Sequence, residues 1–367
     1  MADRLKDMFF TNSSINQFAD TIRQYYPEFN KDKFVNSIFN DEWSSKELKE
    51  KMYHTTICLH ETLPENYKQT LDILIKIAPF IKGFEAMVLP DYVEQYGMEN
   101  WEISLPALGH FTKYSSSEFA IRPFLKKDPQ RVMTYMNELA EDKNERIRRF
   151  ASEGCRPRLP WAMALPEFKK DPCLIFDVLE KLKNDESEFV RKSVANNLND
   201  ISKDHPELVL ELCERWYNKT EKTDWIVKHA CRTMLKKGNK RALLLFGYGD
   251  SSKIKVKKLT LEKKEVVIGK NLHYSFQLII STEKAIKVRL EYGMDFMKVN
   301  GKQSRKIFKI TENTYKPGIH SFSRKHSFID MSTRKHYEGK HCITIIVNGD
   351  EMANISFIVA APDKKGL

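Results

Sequence analysis

Three ten-residue segments constrain what the first two-thirds of this chain can become. "ERIRRFASEG" (145–154), "EFVRKSVANN" (188–197) and "DWIVKHACRT" (224–233) superpose with Ile147 on Val190 and Val190 on Ile226, at separations of 43 and 36 residues. Each carries apolar residues at three- and four-residue steps, the period of a helix with one buried face. Related helices recurring at roughly 35–45 residues predict an all-α solenoid, in which each unit buries its face on its neighbours and the inner helices line a concave groove. A generic helical bundle is the competing expectation. A longer run, "DWIVKHACRTMLKKG", places Trp225, Ile226, His229, Ala230 and Met234 for one face, with Gly238 as the stop signal.

Beyond "LLLFGYGDSSK" (243–253) the pattern changes to short β-type runs: "IKVKKLTL", "HYSFQLIIST", "AIKVRLEYG", "HSFIDM", "HCITIIVNGD" and "ANISFIVAA". Turn signals at Asn300-Gly301, Pro317-Gly318 and Asn348-Gly349 punctuate them. About seven alternating strands in so short a segment predict an all-β immunoglobulin-like sandwich. The expected division is therefore a helical-repeat domain at 1–248 and a sandwich at 249–367. Residues 250–367 hold 23 Lys and Arg against 12 Asp and Glu, which accounts for the whole formal net charge of +11. A polyanion would meet a basic module joined to a neutral one, although charge imbalance also serves solubility. Alternation in "IKVKKLTLEKKEVVI" turns lysines outward as one basic face.

Several function classes drop out. The six cysteines (Cys58, Cys155, Cys173, Cys213, Cys231, Cys342) form no CxxC pair and no cluster with histidine at zinc spacing, so reduced thiols and no metal are expected. Cys342 stands alone in the sandwich, which leaves no partner for an inter-sheet disulfide. No apolar stretch reaches the ~20 residues that span a bilayer, and "MADRLKDMFFTNSSI" lacks a secretory pattern. Gly-rich phosphate loops, GxSxG and H-E-x-x-H are all missing.

The stretch "RIRRFASEGCRPRLPWA" (146–162) is the richest candidate for chemistry. On a helix Ile147, Phe150, Ala151 and Gly154 form the buried stripe, while Arg146, Arg149, Glu153 and Arg156 share another face. The same face of the next repeat offers Lys192 and Asn196, with Asp200 one turn on. The preceding segment, "SSSEFAIRPFLKKDP", reads as helical and offers Glu118 with Arg122 four residues later. Repeat geometry would bring Glu118, Glu153 and Asp200 towards one groove. Carboxylates repel phosphate, so a basic groove broken by acids suits a reaction that develops positive charge. Cleavage of an N-glycosidic bond, with its oxocarbenium character, is such a reaction. Trp161 would face a sugar or a cationic base, or simply pack a turn; spacing leaves both open.

Together, "RRFASEGCRPRLPWA" and "VRKSVANNLNDISKDHPELVLELCERW" resemble the AlkC-type DNA alkylation repair glycosylases, of the HEAT-like repeat superfamily shared with AlkD. The likeness covers most of residues 1–249, and some members carry a C-terminal immunoglobulin-like domain. It implies a monofunctional glycosylase that removes small N3-alkylated bases, 3-methyladenine and 3-methylcytosine, from double-stranded DNA. In that family the lesion is not swung into a deep pocket. It further implies Glu118, Glu153 and Asp200 as the acting carboxylates, with Arg149, Arg156 and Trp161 lining the groove. Arg148, Arg158, Lys192 and Asn196 join them as expected DNA contacts. A monomer working without cofactor in the bacterial cytoplasm, on the nucleoid when bound to DNA, completes the expectation. The alternative is a non-catalytic HEAT-repeat scaffold that binds nucleic acid or a protein partner, in which the acids would be ordinary members of salt bridges.

Overall fold

Ile147, Val190 and Ile226, the three residues that the repeat superposes, are all buried. They sit on helices Glu145–Gly154, Glu188–Ile201 and Glu221–Ala230, and the middle helix packs extensively on the other two. Phe150, Ala151, Val194, Leu198, Ile201, Val227 and Ala230 complete the shared core. Each large aliphatic or aromatic side chain so placed contributes roughly 1.5–3 kcal/mol. Gly154 is required by close approach: a Cβ there would lie 3.0 Å from Ile121 Cγ2 and 3.1 Å from Met136 Cε.

The computed structural model describes residues 5–331 and 335–362, and the chain divides into two units, Met1–Ala230 and Cys231–Leu367. The first is all-α, in pairs of helices that begin with Asn12–Tyr25 and end with Glu221–Ala230.

A recurring polar joint links successive repeats. Asp142 Oδ1 accepts from Asn144 N at 2.7 Å, and Asp185 Oδ1 accepts from Ser187 N at 2.8 Å, so each aspartate orders the entry to the following helix. Arg148 and Arg191, again 43 residues apart, reach back to the same loops. Arg148 Nη1 donates to the carbonyls of Asp142 and Lys143, and Arg191 Nη1 to those of Asp185 and Glu186. Arg148 also grips Asp185 through two bonds of 2.6 and 2.9 Å. That pair raises the Arg148 pKa; Asp185, though burial opposes it, is held below its usual range.

Trp225 does not join the buried face. It is partly exposed and stacks on His229 with ring centroids 5.1 Å apart. The helix that carries it ends at Ala230, earlier than the long run predicted.

The second unit begins with two short helices, Arg232–Lys236 and Lys240–Leu245, so the change in composition at 248/249 falls inside it. These helices pack on the turn at residues 348–350 of the sandwich described next. Gly238, at φ +69°, lies so close to Gly349 that a Cβ on Gly349 would be 2.8 Å from the Gly238 Cα. Lys240 and Ser251 both bond Asp350, and Asn348 Nδ2 donates to Gly249 O at 3.1 Å.

The strands are β1 (Ile254–Leu261), β2 (Glu265–Val267), β3 (Asn271–Ile280), β4 (Ile286–Met297), β5 (Gln303–Tyr315), β6 (Gly318–Ser327), β7 (Gly339–Val347) and β8 (Asp350–Ala360). They form two sheets, β1-β3-β6 and β2-β8-β7-β4-β5, antiparallel except for β2 with β8. The inner faces meet in a core that includes Tyr274, Phe276, Leu290, Met294, Phe328, Ile343 and Phe357. This is the immunoglobulin-like sandwich that the sequence predicts.

Three details differ from expectation. The strand β5 went unanticipated because "QSRKIFKITENTY" mixes charge into both faces, as an edge strand does to discourage further pairing. "HSFIDM" is mostly outside strand; only its first two residues belong to β6. A bulge between Lys257 and Thr260, with Lys258 at φ +53°, interrupts the alternation of β1. The extra residue lets Val256 and Leu259 both pack on the core while Lys255, Lys257 and Lys258 stay exposed.

Candidate active site

The 145–154 helix starts where Asn144 Oδ1 accepts from Arg146 N at 2.9 Å, and its apolar stripe then fixes its rotation. That rotation leaves Arg149, Glu153 and, just past its end, Arg156 together. Glu153 is 5% exposed and fully engaged. Its Oε1 meets Arg156 Nη1 at 2.6 Å and Arg149 Nη2 at 3.4 Å, and its Oε2 accepts from the Ser193 hydroxyl at 2.6 Å.

The charges alternate along a continuous line. Arg149 Nη1 donates to Glu118 Oε2 at 3.0 Å. On the other side Arg156 Nη2 lies 2.8 Å from Asp200 Oδ2, and Lys203 Nζ is 2.9 Å from Asp200 Oδ1. Three acids and three bases, Glu118–Arg149–Glu153–Arg156–Asp200–Lys203, thus span elements of successive repeats. Burial works against the Arg156 cation, but Glu153 and then Asp200 outweigh it, and its pKa is raised. Among the described residues Glu118 Oε1 accepts no hydrogen bond. The Arg149 guanidinium also lies 5.0 Å from the centroid of the exposed Phe189 ring.

The segment after the helix carries Trp161, which is 66% exposed and adopts φ +64°. A non-glycine residue holds that conformation only where its surroundings enforce it. Arg122, fully buried, supplies part of the enforcement: its Nε donates to Met163 O at 2.6 Å and its Nη1 to Gly154 O at 3.0 Å. Burial pulls the Arg122 pKa down to about 10. At the near end Arg158 forks onto Asp204 with bonds of 2.7–3.2 Å.

The structure therefore brings together Glu118, Arg149, Glu153, Arg156 and Asp200. It does not place Arg148 with them, because that side chain is committed to the Asp185 joint. Lys192 is exposed on the 188–201 helix, and Asn196 one turn later has its Oδ1 3.2 Å from His229 Nε2. The pairing of Glu118 with Arg122, expected from a four-residue step, is not formed. Glu118 lies in turns before the helix Arg122–Lys127, so helical spacing does not apply, and Arg122 points into the interior. Sequence reasoning passed over Ser193, Lys203 and Phe189, and it named Arg122 only as the partner of Glu118. Lys203 alone had a signal, three residues after Asp200; a serine on a core-facing helix turn has none. Cys155 next to the cluster is no nucleophile, since burial pushes its thiol up to about 12. Among the described residues no group of three or more His, Cys, Asp and Glu side chains is placed to hold a metal ion.

Comparison with known proteins identifies the family. Residues 112–234 match the family model "DNA alkylation repair enzyme", and residues 255–361 match "Uncharacterised protein YhaZ, C-terminal Ig-like domain". A Bacillus subtilis (strain 168) protein described as "Uncharacterized protein YhaZ" is 47% identical over 360 residues, covering 98% of this chain and 100% of that one. The solved structure of Pseudomonas fluorescens alkylpurine DNA glycosylase AlkC, bound to DNA containing an abasic site analog, is 37% identical. It covers 98% of this chain and 100% of its own, with a TM-score of 0.93. This chain belongs to the AlkC-type DNA alkylation repair family. In this AlkC-type chain the charge cluster falls inside the residues matched by the repair-enzyme model, apart from the sandwich. No helix among the described residues is long and apolar enough to cross a membrane.

Proposed function

We propose that this chain is a monofunctional DNA glycosylase that removes 3-methyladenine and 3-methylcytosine from duplex DNA, as a monomer and without swinging the nucleotide into a pocket. The observation that carries the reading is a set of three carboxylates, each already paired with an arginine. Such acids are fixed negative charges, and a site that holds them suits a reaction in which positive charge develops. The alkylpurine glycosylase AlkC of Pseudomonas fluorescens, similar over its full length, supports the same chemistry.

The reaction needs little from the protein. The C1′–N bond breaks, the electron pair leaves with the base, and the positive charge of the lesion is discharged without a protonation step. Positive charge then develops on the sugar, where Glu153 and Asp200 would stabilise it electrostatically. Water adds to C1′ and gives up a proton, leaving an abasic site. Glu118 is the acid with an oxygen to spare, so positioning that water falls to Glu118 Oε1. Glu153 has both oxygens occupied and acts through charge. Arg149 and Arg158 would contact phosphates, with Lys192 and Asn196 further along the strand. Arg156, expected as a phosphate contact, is buried with all three guanidinium nitrogens on Glu153 and Asp200 and instead holds those acids in place. The basic sandwich would add salt-dependent affinity.

The test is excision from duplex DNA carrying 3-methyladenine or 3-methylcytosine, read as alkali-labile breaks. We expect breaks with the native protein, and a loss of at least about a hundredfold with Glu153→Gln while binding survives. DNA that is bound yet stays intact with the native protein would overturn the glycosylase reading. Undiminished excision by Glu153→Gln would remove Glu153 from the mechanism.

A further inference from the structure

The segment that bears Trp161 is held from a second direction, by a residue far away in sequence. Lys49 is the second residue of the helix Leu48–His60, 112 positions before Trp161. Its ammonium donates to the Trp161 carbonyl at 2.9 Å and lies 4.8 Å from the centroid of the Phe119 ring. Phe119 is the chain neighbour of Glu118. The same ammonium acts on the buried carboxyl of Asp91 and the half-buried carboxyl of Glu94, on the helix Val88–Tyr96 packed alongside.

Two independent structural facts meet at this cation. Trp161 occupies a left-handed backbone conformation that other groups must enforce. Arg122 ties the chain at Gly154 and Met163, on either side of Trp161. Among the described residues, the bond from Lys49 is the tie that another element makes to Trp161 itself. The Phe119 contact fixes the other end, because an ammonium held over that ring ties the Trp161 carbonyl to the turn that carries Glu118.

We infer that Lys49 is a positioning residue for the candidate active site, setting the Trp161 segment against the Glu118 turn so that indole and carboxylate meet DNA in one arrangement. It acts through Trp161 and Glu118 and touches neither lesion nor phosphate. The assignment rests on the glycosylase reading for its functional meaning, but not for its structural content.

The experiment uses the full chain labelled with 5-fluorotryptophan, with the Trp161 fluorine signal assigned from Trp161→Phe. In Lys49→Met that signal should move or broaden, and Lys49→Arg should restore it. In single-turnover excision from a 3-methyladenine duplex, Lys49→Met should be slower by about tenfold. Its DNA dissociation constant and salt dependence should stay unchanged. Added to Trp161→Ala, Lys49→Met should slow excision no further than the loss of its hold on Glu118 requires, clearly less than tenfold. An unmoved fluorine signal overturns the inference. So does a salt slope of binding reduced by about one, the mark of a lost phosphate contact. A fluorine signal shifted in Lys49→Met, alongside a native protein that excises nothing, would leave the positioning intact and sink the glycosylase reading instead.

Discussion

Arg156 and Asp200 stand 44 residues apart in sequence, yet the guanidinium meets one carboxylate oxygen through both Nε, at 2.9 Å, and Nη2, at 2.8 Å. The remaining nitrogen of the fork reaches Glu153 at 2.6 Å. One buried cation therefore holds two of the three candidate carboxylates, and it joins the turn after one repeat helix to the end of the next.

Removing that cation should be costly, because it takes from two buried acids their closest positive charge. Arg156→Met is expected to destabilise the protein by about 3–5 kcal/mol, the usual result of breaking a buried pair from one side. Asp200→Asn keeps the shape and an acceptor oxygen for Arg156 and Lys203, and should cost less than half as much. Thermal or denaturant unfolding of the two variants checks the order.

The acids beside Lys49 predict a dependence on pH. Burial first, and then the charge of Asp91, push the Glu94 carboxyl up to about 7 from its ordinary 4.5. The folded chain thus holds a proton that the unfolded chain releases, so stability falls as pH rises from about 4.5 to about 7 and is level above that. Glu94→Gln removes the penalty. It should gain up to about 3 kcal/mol at pH 8 and nothing at pH 4. Asp91, raised by burial in the same direction, leaves some slope in the variant. Melting temperature against pH for both proteins is the measurement.

The exposed lysines of β1 should register as counterion release. Lys255→Glu with Lys257→Glu is expected to lower the slope of log affinity against log salt by about two and to weaken DNA binding at moderate salt. The rate of excision from saturated complex should not change, since neither residue belongs to the charge cluster. Anisotropy titrations across salt concentration read the first effect, and single-turnover kinetics the second.

The helical repeat was legible because burial imposes one register: Ile147, Val190 and Ile226 had to be apolar for the helices to stack, and they announced one another. Arg149, Glu153 and Arg156 were legible for the same reason, since the buried stripe fixes the opposite face. Glu118 was chosen as a residue, but its partner was misjudged, because a four-residue step means adjacency only inside a helix and the chain turns there. Ser193 and Lys49 were invisible. Each meets residues 40 or more positions away, and no local pattern encodes a contact at that range. The strand β5 escaped because an edge strand has no second neighbour to demand alternation.

The polar joints between repeats bear on how such a chain can change in length. Arg148 closes onto Asp185, whereas Arg191, its counterpart 43 residues later, leaves its Nε without an acceptor among the described residues. At the next equivalent positions, 36 residues on, Glu221 replaces the aspartate and Val227 the arginine. The series ends with one open connector. A duplicated block that carries both the aspartate and the arginine would find a socket waiting, whereas a partial block would leave Arg191 facing the wrong surface. In this architecture a whole module added after the 188–201 helix would preserve the joint, and a fraction of one would not.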